Sequence, residues 1–115
     1  MKWILASKSP RRNKLLKRLN YPFEIIIPKV DESLLSIKKP PIEYCKTLAE
    51  MKARDISLNY PDSLIIGADT IVVLGNHILN KPNDYNEAIK MLKMLSGKKH
   101  DVLTGVCIKN INKNI

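Results

Sequence analysis

An aspartate lies in the middle of the longest apolar run in this chain, and that one residue limits what the chain can become. The run is Leu64-Ile65-Ile66-Gly67-Ala68-Asp69-Thr70-Ile71-Val72-Val73-Leu74. β-Branched residues on both sides of Asp69 read as a buried strand. An unpaired carboxylate in such a strand costs several kcal/mol, so the acid must be paired, bound to a metal or sited where the sheet opens.

Two further groups of charges stand where charges do not belong. Cys45, Leu48, Ala49 and Ile56 form a stripe at helical spacing in a helix expected from about Ile42 to Asn59, and Lys52 falls inside that stripe. Either Lys52 snorkels out of an apolar face, or its ammonium emerges in a cleft and meets phosphate. Ser7-Lys8-Ser9-Pro10-Arg11-Arg12 leads from a strand into a helix start. Ser9 is a capping residue and Pro10 suits the first helical position. Arginines in a first turn oppose the helix dipole unless an anion sits among them; the alternative is a solvated basic turn. An arginine fork matches phosphate oxygens.

Around these features the chain alternates strands and helices. Trp3 to Ala6 reads as a strand, and the helix from Pro10 presents Leu15, Leu16 and Leu19 as its apolar face. Phe23 to Ile27 reads as a second strand closed by Pro28, and Lys29 to Pro41 as a long polar connection. Gly75-Asn76 is a tight-turn signal between Leu74 and Ile78, and Lys81-Pro82 ends that second arm. Tyr85 to Leu95 reads as a helix with Ala88, Leu92 and Leu95 inward and Gly97 just past its end. Val102 to Ile108 is a last strand, after which Lys109 to Ile115 shows neither a helix nor a clean stop. The alternation predicts an α/β fold, with a hairpin that makes the sheet mixed.

Composition narrows the function. At 115 residues the chain is one domain or part of one. A net charge of +9 favours anionic partners, although Lys, Asn and Ile richness is also what a genome-wide bias produces. Cys45 and Cys107 belong to no Cys/His cluster, and His77 and His100 have no ligand spacing, so structural zinc is not expected. The apolar start, Met1 to Ala6, stops too early for a signal peptide, and no run is long enough to span a bilayer; a cytoplasmic protein without a membrane partner is expected. No P-loop, dinucleotide fingerprint or nucleophile elbow is present.

Asp69 and Glu32, the latter in the long loop, together offer hard oxygen ligands for a divalent cation that keeps waters and substrate phosphates in its shell. For Glu32 the alternative is an ordinary loop carboxylate; for Asp69 it is a structural salt bridge. Lys81 is a further cation candidate or else a plain surface lysine. The expected arrangement is an acid facing a cavity where the basic groups of the first two helices converge.

Several segments resemble one known family. Leu5-Ala6-Ser7-Lys8-Ser9-Pro10-Arg11-Arg12 is similar to the opening motif of the Maf family of nucleoside triphosphate pyrophosphatases. Gly67-Ala68-Asp69-Thr70-Ile71-Val72 with Leu79-Asn80-Lys81-Pro82 resembles its second signature. Ala88 to Leu92, Leu95-Ser96-Gly97, His100-Asp101-Val102 and Thr104-Gly105-Val106 resemble its third. The resemblance implies a mixed sheet flanked by helices with a central cleft, of the Maf and ITPase-like kind. It implies hydrolysis of a nucleoside triphosphate between the α- and β-phosphates, yielding a nucleoside monophosphate and pyrophosphate.

On the matching positions, Asp69 would be the proton acceptor, and Glu32 and Asp69 would hold Mg²⁺ or Mn²⁺. Arg11, Arg12, Lys52 and Lys81 would hold phosphates and offset developing charge, and Ser7 would contribute hydroxyl and backbone contacts. Arg12 and Thr70 resemble the subgroup acting on dTTP and UTP. Family members continue past the Thr-Gly-Val strand, so residues 1–115 read as the N-terminal portion of one Maf-like domain, with the second lobe largely missing. A homodimer is implied if the full-length arrangement is kept. Two readings compete: an inactive fragment that binds only nucleotides or a partner chain, and a basic nucleic-acid-binding module. The second lacks a recognition helix and aromatic stacking residues on a basic strand.

Overall fold

The computed structural model describes residues 1–7, 9–32, 35, 39–75, 77–79 and 84–115. In chain order the elements are β1 (Trp3–Ala6), α1 (Pro10–Lys17), β2 (Phe23–Ile25), α2 (Pro41–Ser57), β3 (Leu64–Leu74), β4 (His77–Leu79), α3 (Tyr85–Leu95) and β5 (Asp101–Lys109). The apolar run around Asp69 is β3, at the expected bounds, and it organises the sheet. The strand order is β2-β1-β3-β4, with β5 on the other edge of β3. β1 pairs parallel with both β2 and β3, whereas β4 and β5 pair antiparallel with β3. The expected mixed α/β sheet is therefore present. Among the described residues, no helix is long and apolar enough to cross a membrane.

The register creates an opening. β1 accompanies β3 only from Trp3↔Leu64 to Ala6↔Gly67, and β4 begins at Val72↔Leu79. Between those points Ala68 to Ile71 are paired with β5 on one edge, where the ladder runs from Ile65↔Lys109 to Val73↔Asp101, and among the described residues no strand pairs with their other edge. The chain leaves β1 toward β2 on one side and later returns to β3 on the other. The carboxyl end of β1, opposite Gly67 in the middle of β3, is thus a topological switch point, the place where open α/β sheets bind ligands.

Helix α2 covers one face. Its Tyr44, Cys45 and Leu48 pack with Ile71, Val73 and Ile78, and its Ala53 and Ile56 with Ile4, Ala6 and Ile65. Close approach needs a strand without side chains at the crossing. A Cβ on Gly67 would lie 2.8 Å from the Ala53 nitrogen and 2.9 Å from the Ala53 Cβ; one on Gly105 would lie 2.9 Å from the Cys45 carbonyl oxygen. The turns match expectation in part. Gly75 has φ +62° after β3, and Gly97 has φ +69° just beyond α3; Asn76 lies outside the described residues.

Several expectations fail. Leu15 and Leu19 are exposed and Leu16 is only half-buried, so α1 does not bury its apolar stripe. On α3, Leu92 is 69% exposed, and no residue of the helix is buried. Periodicity selects a face, but a face is buried only where another element covers it. β2 stops at Ile25, and Ile27 is exposed. The C-terminal segment, which offered no pattern, is tied down by Asn110. That residue is 1% exposed; its amide donates to the carbonyl oxygens of Asp62 and Ser63 and its Oδ1 accepts from the Lys113 N–H.

Two outcomes are expected from this packing. Gly67→Ala should lower stability by about 1–3 kcal/mol in urea unfolding, because the new methyl meets helix backbone that cannot swing away. Burial raises the half-buried Cys107 thiol above its ordinary value of 9.0, with Glu50 adding to the effect and Lys109 and Arg54 opposing it. The unfolded thiol then releases its proton first as pH rises, so the stability tied to this group falls on the alkaline side of that value. A Tm series across that range should show a shallower alkaline decline in Cys107→Ala than in the parent.

Candidate functional site at the end of the β1–β3 ladder

The turn out of β1 is built by hydroxyls. The Ser7 side chain is buried and its Oγ accepts from the Ser9 N–H at 3.1 Å. Ser9 caps α1, accepting from the Arg12 N–H at 3.5 Å, with Pro10 at the first helical position as expected. This geometry turns the Arg12 side chain back toward the sheet. Its Nη1 donates to Ser7 Oγ at 3.2 Å and to the Ala68 carbonyl oxygen at 3.1 Å; its Nη2 donates to Thr70 Oγ1 at 2.6 Å. Arg12 thus fills the edge that β1 vacates. Arg11, beside it, is exposed, and its side chain makes no hydrogen bond or ion pair among the described residues.

The second cluster lies under α2. Asp69 is 2% exposed and Lys52 is 9% exposed. Lys52 Nζ lies 2.7 Å from Asp69 Oδ1 and 3.3 Å from Glu32 Oε1. A buried carboxylate in an aliphatic strand is tolerable only with such a partner. The Cys45 thiol donates to the Asp69 carbonyl oxygen at 3.1 Å, tying helix to strand beside the acid. Burial raises the Cys45 thiol above its usual range, with Asp69 adding, while the Gly105 backbone, Arg12 and Lys52 oppose it. The Tyr44 hydroxyl is raised as well, by burial first and then by Glu32 and Asp69. Tyr44 therefore sits in the field of the carboxylate pair.

The sequence-based site is assembled in part, and differently from expectation. Asp69, Lys52 and Glu32 are brought together; Ser7, Arg12 and Thr70 form a second group. The two groups meet β3 at adjacent residues of alternating face. Neighbouring residues on a strand point to opposite faces. Asp69 faces α2, and Thr70 faces away, toward Thr104. Asp69 is buried against an internal partner, and the two cations reach adjacent residues of β3 from opposite sides. Lys81 lies outside the described residues, as do Lys8, Asn80 and Pro82 of the motifs. Tyr44 and Thr104 were missed. Thr104 stood in the Thr-Gly-Val motif, but only the β3–β5 register shows what it opposes.

A hard divalent cation suits the donor chemistry. Two carboxylate oxygens converge on one point, which the Lys52 ammonium now fills, and oxygen ligands are what Mg²⁺ takes. Among the described residues, no group of three or more His, Cys, Asp or Glu side chains could hold a metal ion, so water or substrate oxygens would have to complete the shell.

The sequence comparisons agree with one another. The family model for Maf-like proteins matches residues 2–115. The chain is 44% identical over 112 residues to a dTTP/UTP pyrophosphatase of Ruminiclostridium cellulolyticum, covering 97% of this chain and 58% of that one. It is 48% identical over 105 residues to the dTTP/UTP pyrophosphatase of Symbiobacterium thermophilum, covering 91% and 54%, and 42% identical over 114 residues to that of Bacillus cytotoxicus, covering 99% and 59%. The chain thus spans less than two thirds of the length of these relatives. A solved nucleoside-triphosphatase / dITP/XTP pyrophosphatase from Mycobacterium abscessus aligns with 96% of this chain at 15% identity and a TM-score of 0.48.

Removing the counter-charge should be severe. Lys52→Met leaves Asp69 buried without its partner and should lower stability by about 3–5 kcal/mol in urea unfolding. Lys52→Met combined with Asp69→Asn should recover much of that loss. A change under about 1 kcal/mol in the single variant would mean that Asp69 reaches water in solution.

Proposed function

Since this chain belongs to the Maf-like protein family, we propose that it hydrolyses nucleoside triphosphates between the α- and β-phosphates, with dTTP and UTP as preferred substrates. The preference rests on the names of the relatives. The observation that carries the chemical reading is the Asp69–Lys52–Glu32 cluster, in which two carboxylates meet a cation beside the switch point.

The reaction needs a water oxygen to attack the α-phosphorus while the bond to the β-phosphate oxygen breaks. Asp69 takes the proton lost by that water, and pyrophosphate leaves. Lys52 engages Asp69 through Oδ1, so the second carboxylate oxygen is the one that accepts the proton. Lys52 moves its donors from the carboxylates to the phosphates as substrate enters, and so offsets charge that builds in the transition state. Arg11, exposed at the start of α1, binds the outer phosphates, with Lys81 as a further cation. Ser7 and Arg12 support the recognition side of the substrate, with Thr70.

Asp69 and Glu32 would hold Mg²⁺ or Mn²⁺, which supplies Lewis-acid polarisation of the phosphate oxygens when bound. A cytoplasmic location goes with the same reading, because that is where nucleoside triphosphates are abundant.

Purified protein should release pyrophosphate from dTTP or UTP with Mg²⁺ or Mn²⁺ present, and chelation should stop it. Asp69→Asn should reduce the rate by about 10²–10⁴-fold, the usual worth of a positioned base. Saturable nucleotide binding without pyrophosphate release would overturn turnover and leave the chain as a binding module. Binding to oligonucleotides that weakens steeply with salt, with no response to dTTP, would overturn both.

A further inference from the structure

Two hydroxyl groups hold the Arg12 guanidinium, and each is itself held by a second bond. Ser7 Oγ accepts from Arg12 Nη1 and also from the Ser9 N–H. Thr70 Oγ1 accepts from Arg12 Nη2 at 2.6 Å and lies 3.0 Å from Thr104 Oγ1. The third acceptor, the Ala68 carbonyl, is backbone and fixed by the strand. Thr70 and Thr104 are direct partners in the β3–β5 ladder, on the face turned away from α2. Cross-strand Thr pairs of this kind hydrogen-bond routinely.

Arginine can only donate, so Thr70 Oγ1 must present a lone pair to Nη2. The Thr70–Thr104 bond then restricts the Thr70 hydroxyl. Either Thr70 gives its proton to Thr104, or Thr104 donates into the remaining lone pair; both hold the side chain in the rotamer that meets Arg12. Without the Thr104 hydroxyl, Thr70 could rotate toward solvent, since Thr104 is exposed and Thr70 only half-buried. The guanidinium would keep two of its three anchors and lose the one that sets its plane.

We infer that Thr104 is a positioning residue for nucleotide recognition, acting through Thr70 on the plane of the Arg12 guanidinium. It touches neither Asp69 nor Lys52, which lie on the other face of β3. Its loss should therefore weaken substrate binding and spare the chemical step. The inference rests on the pyrophosphatase reading for its functional consequence, but its structural part can be tested alone.

The experiment compares Thr104→Val, which keeps the branched shape and removes the hydroxyl, with Thr104→Ser, which keeps the hydroxyl. In dTTP hydrolysis Thr104→Val should raise KM about 3- to 10-fold, the worth of one neutral hydrogen bond, with kcat within about two-fold. Thr104→Ser should restore the parent KM. In parallel, the Arg12 side-chain Nε–H resonance should exchange faster with water in Thr104→Val than in the parent or Thr104→Ser.

An unchanged Arg12 resonance overturns the inference, whatever the kinetics. So does a KM that Thr104→Ser fails to rescue, or a fall in kcat at constant KM. If the parent chain shows no hydrolysis, the pyrophosphatase reading fails separately, and the Arg12 exchange rate together with dTTP affinity by calorimetry still decides the positioning role. Each variant's Tm is read alongside; a large drop in Thr104→Val that tracks the exchange change would mark a merely structural role and overturn the inference.

Discussion

The ion pair between Lys52 and Asp69 is the contact on which the rest of the arrangement depends. A charged aspartate in an aliphatic strand requires a cation within bonding distance, and among the described residues Lys52 of α2 supplies it. α2 must therefore lie close over β3. Gly67, Ala49, Ala53 and Gly105 make that approach possible. The small residues and the charge pair are thus two halves of one requirement: without the close crossing Lys52 would not reach, and without Lys52 the crossing would bury a lone acid.

The same register that buries Asp69 places it next to an opening. β1 ends opposite Gly67, and β4 starts opposite Val72, so Asp69 sits on a stretch of β3 with one edge that no strand pairs among the described residues. Arg12 occupies that edge from the turn after β1, held by Ser7, Ala68 and Thr70. Strand alternation then separates the work of two adjacent residues. Asp69 belongs to the helix-covered side, with Lys52 and Glu32; Thr70 belongs to the other side, with Arg12 and Thr104. A backbone only one residue long joins the Asp69–Lys52 pair with the Thr70–Arg12 contact. Displacement of either should be felt by the other through β3.

Much of the fold could be read from residue order. The run from Leu64 to Leu74 and the helix from Tyr85 to Leu95 have the bounds expected of them, because β-branched density and helical spacing are local properties. Ser9, Pro10, Gly75 and Gly97 mark ends correctly for the same reason: capping and positive φ are decided by the residue itself. The failures share a cause. Leu15, Leu19 and Leu92 were assigned inward on periodicity, yet they are exposed. Asn110 carried no local signal at all, since its burial depends on carbonyls of Asp62 and Ser63 that are distant in the chain.

By itself the sequence determined that Asp69 could not be an ordinary surface charge and marked Lys52 as a charge inside an apolar stripe, because their neighbours at strand and helix spacing are apolar. It also determined the motif order that marks the family, since those residues are recognised by type and spacing. Only the tertiary structure decided that these two charges neutralise each other, that Arg12 is anchored by protein oxygens, and that Asp69 and Thr70 serve opposite faces. The reason is geometric. A side chain's type states what partner it needs, but which partner arrives depends on strand register and on the path of a helix across the sheet.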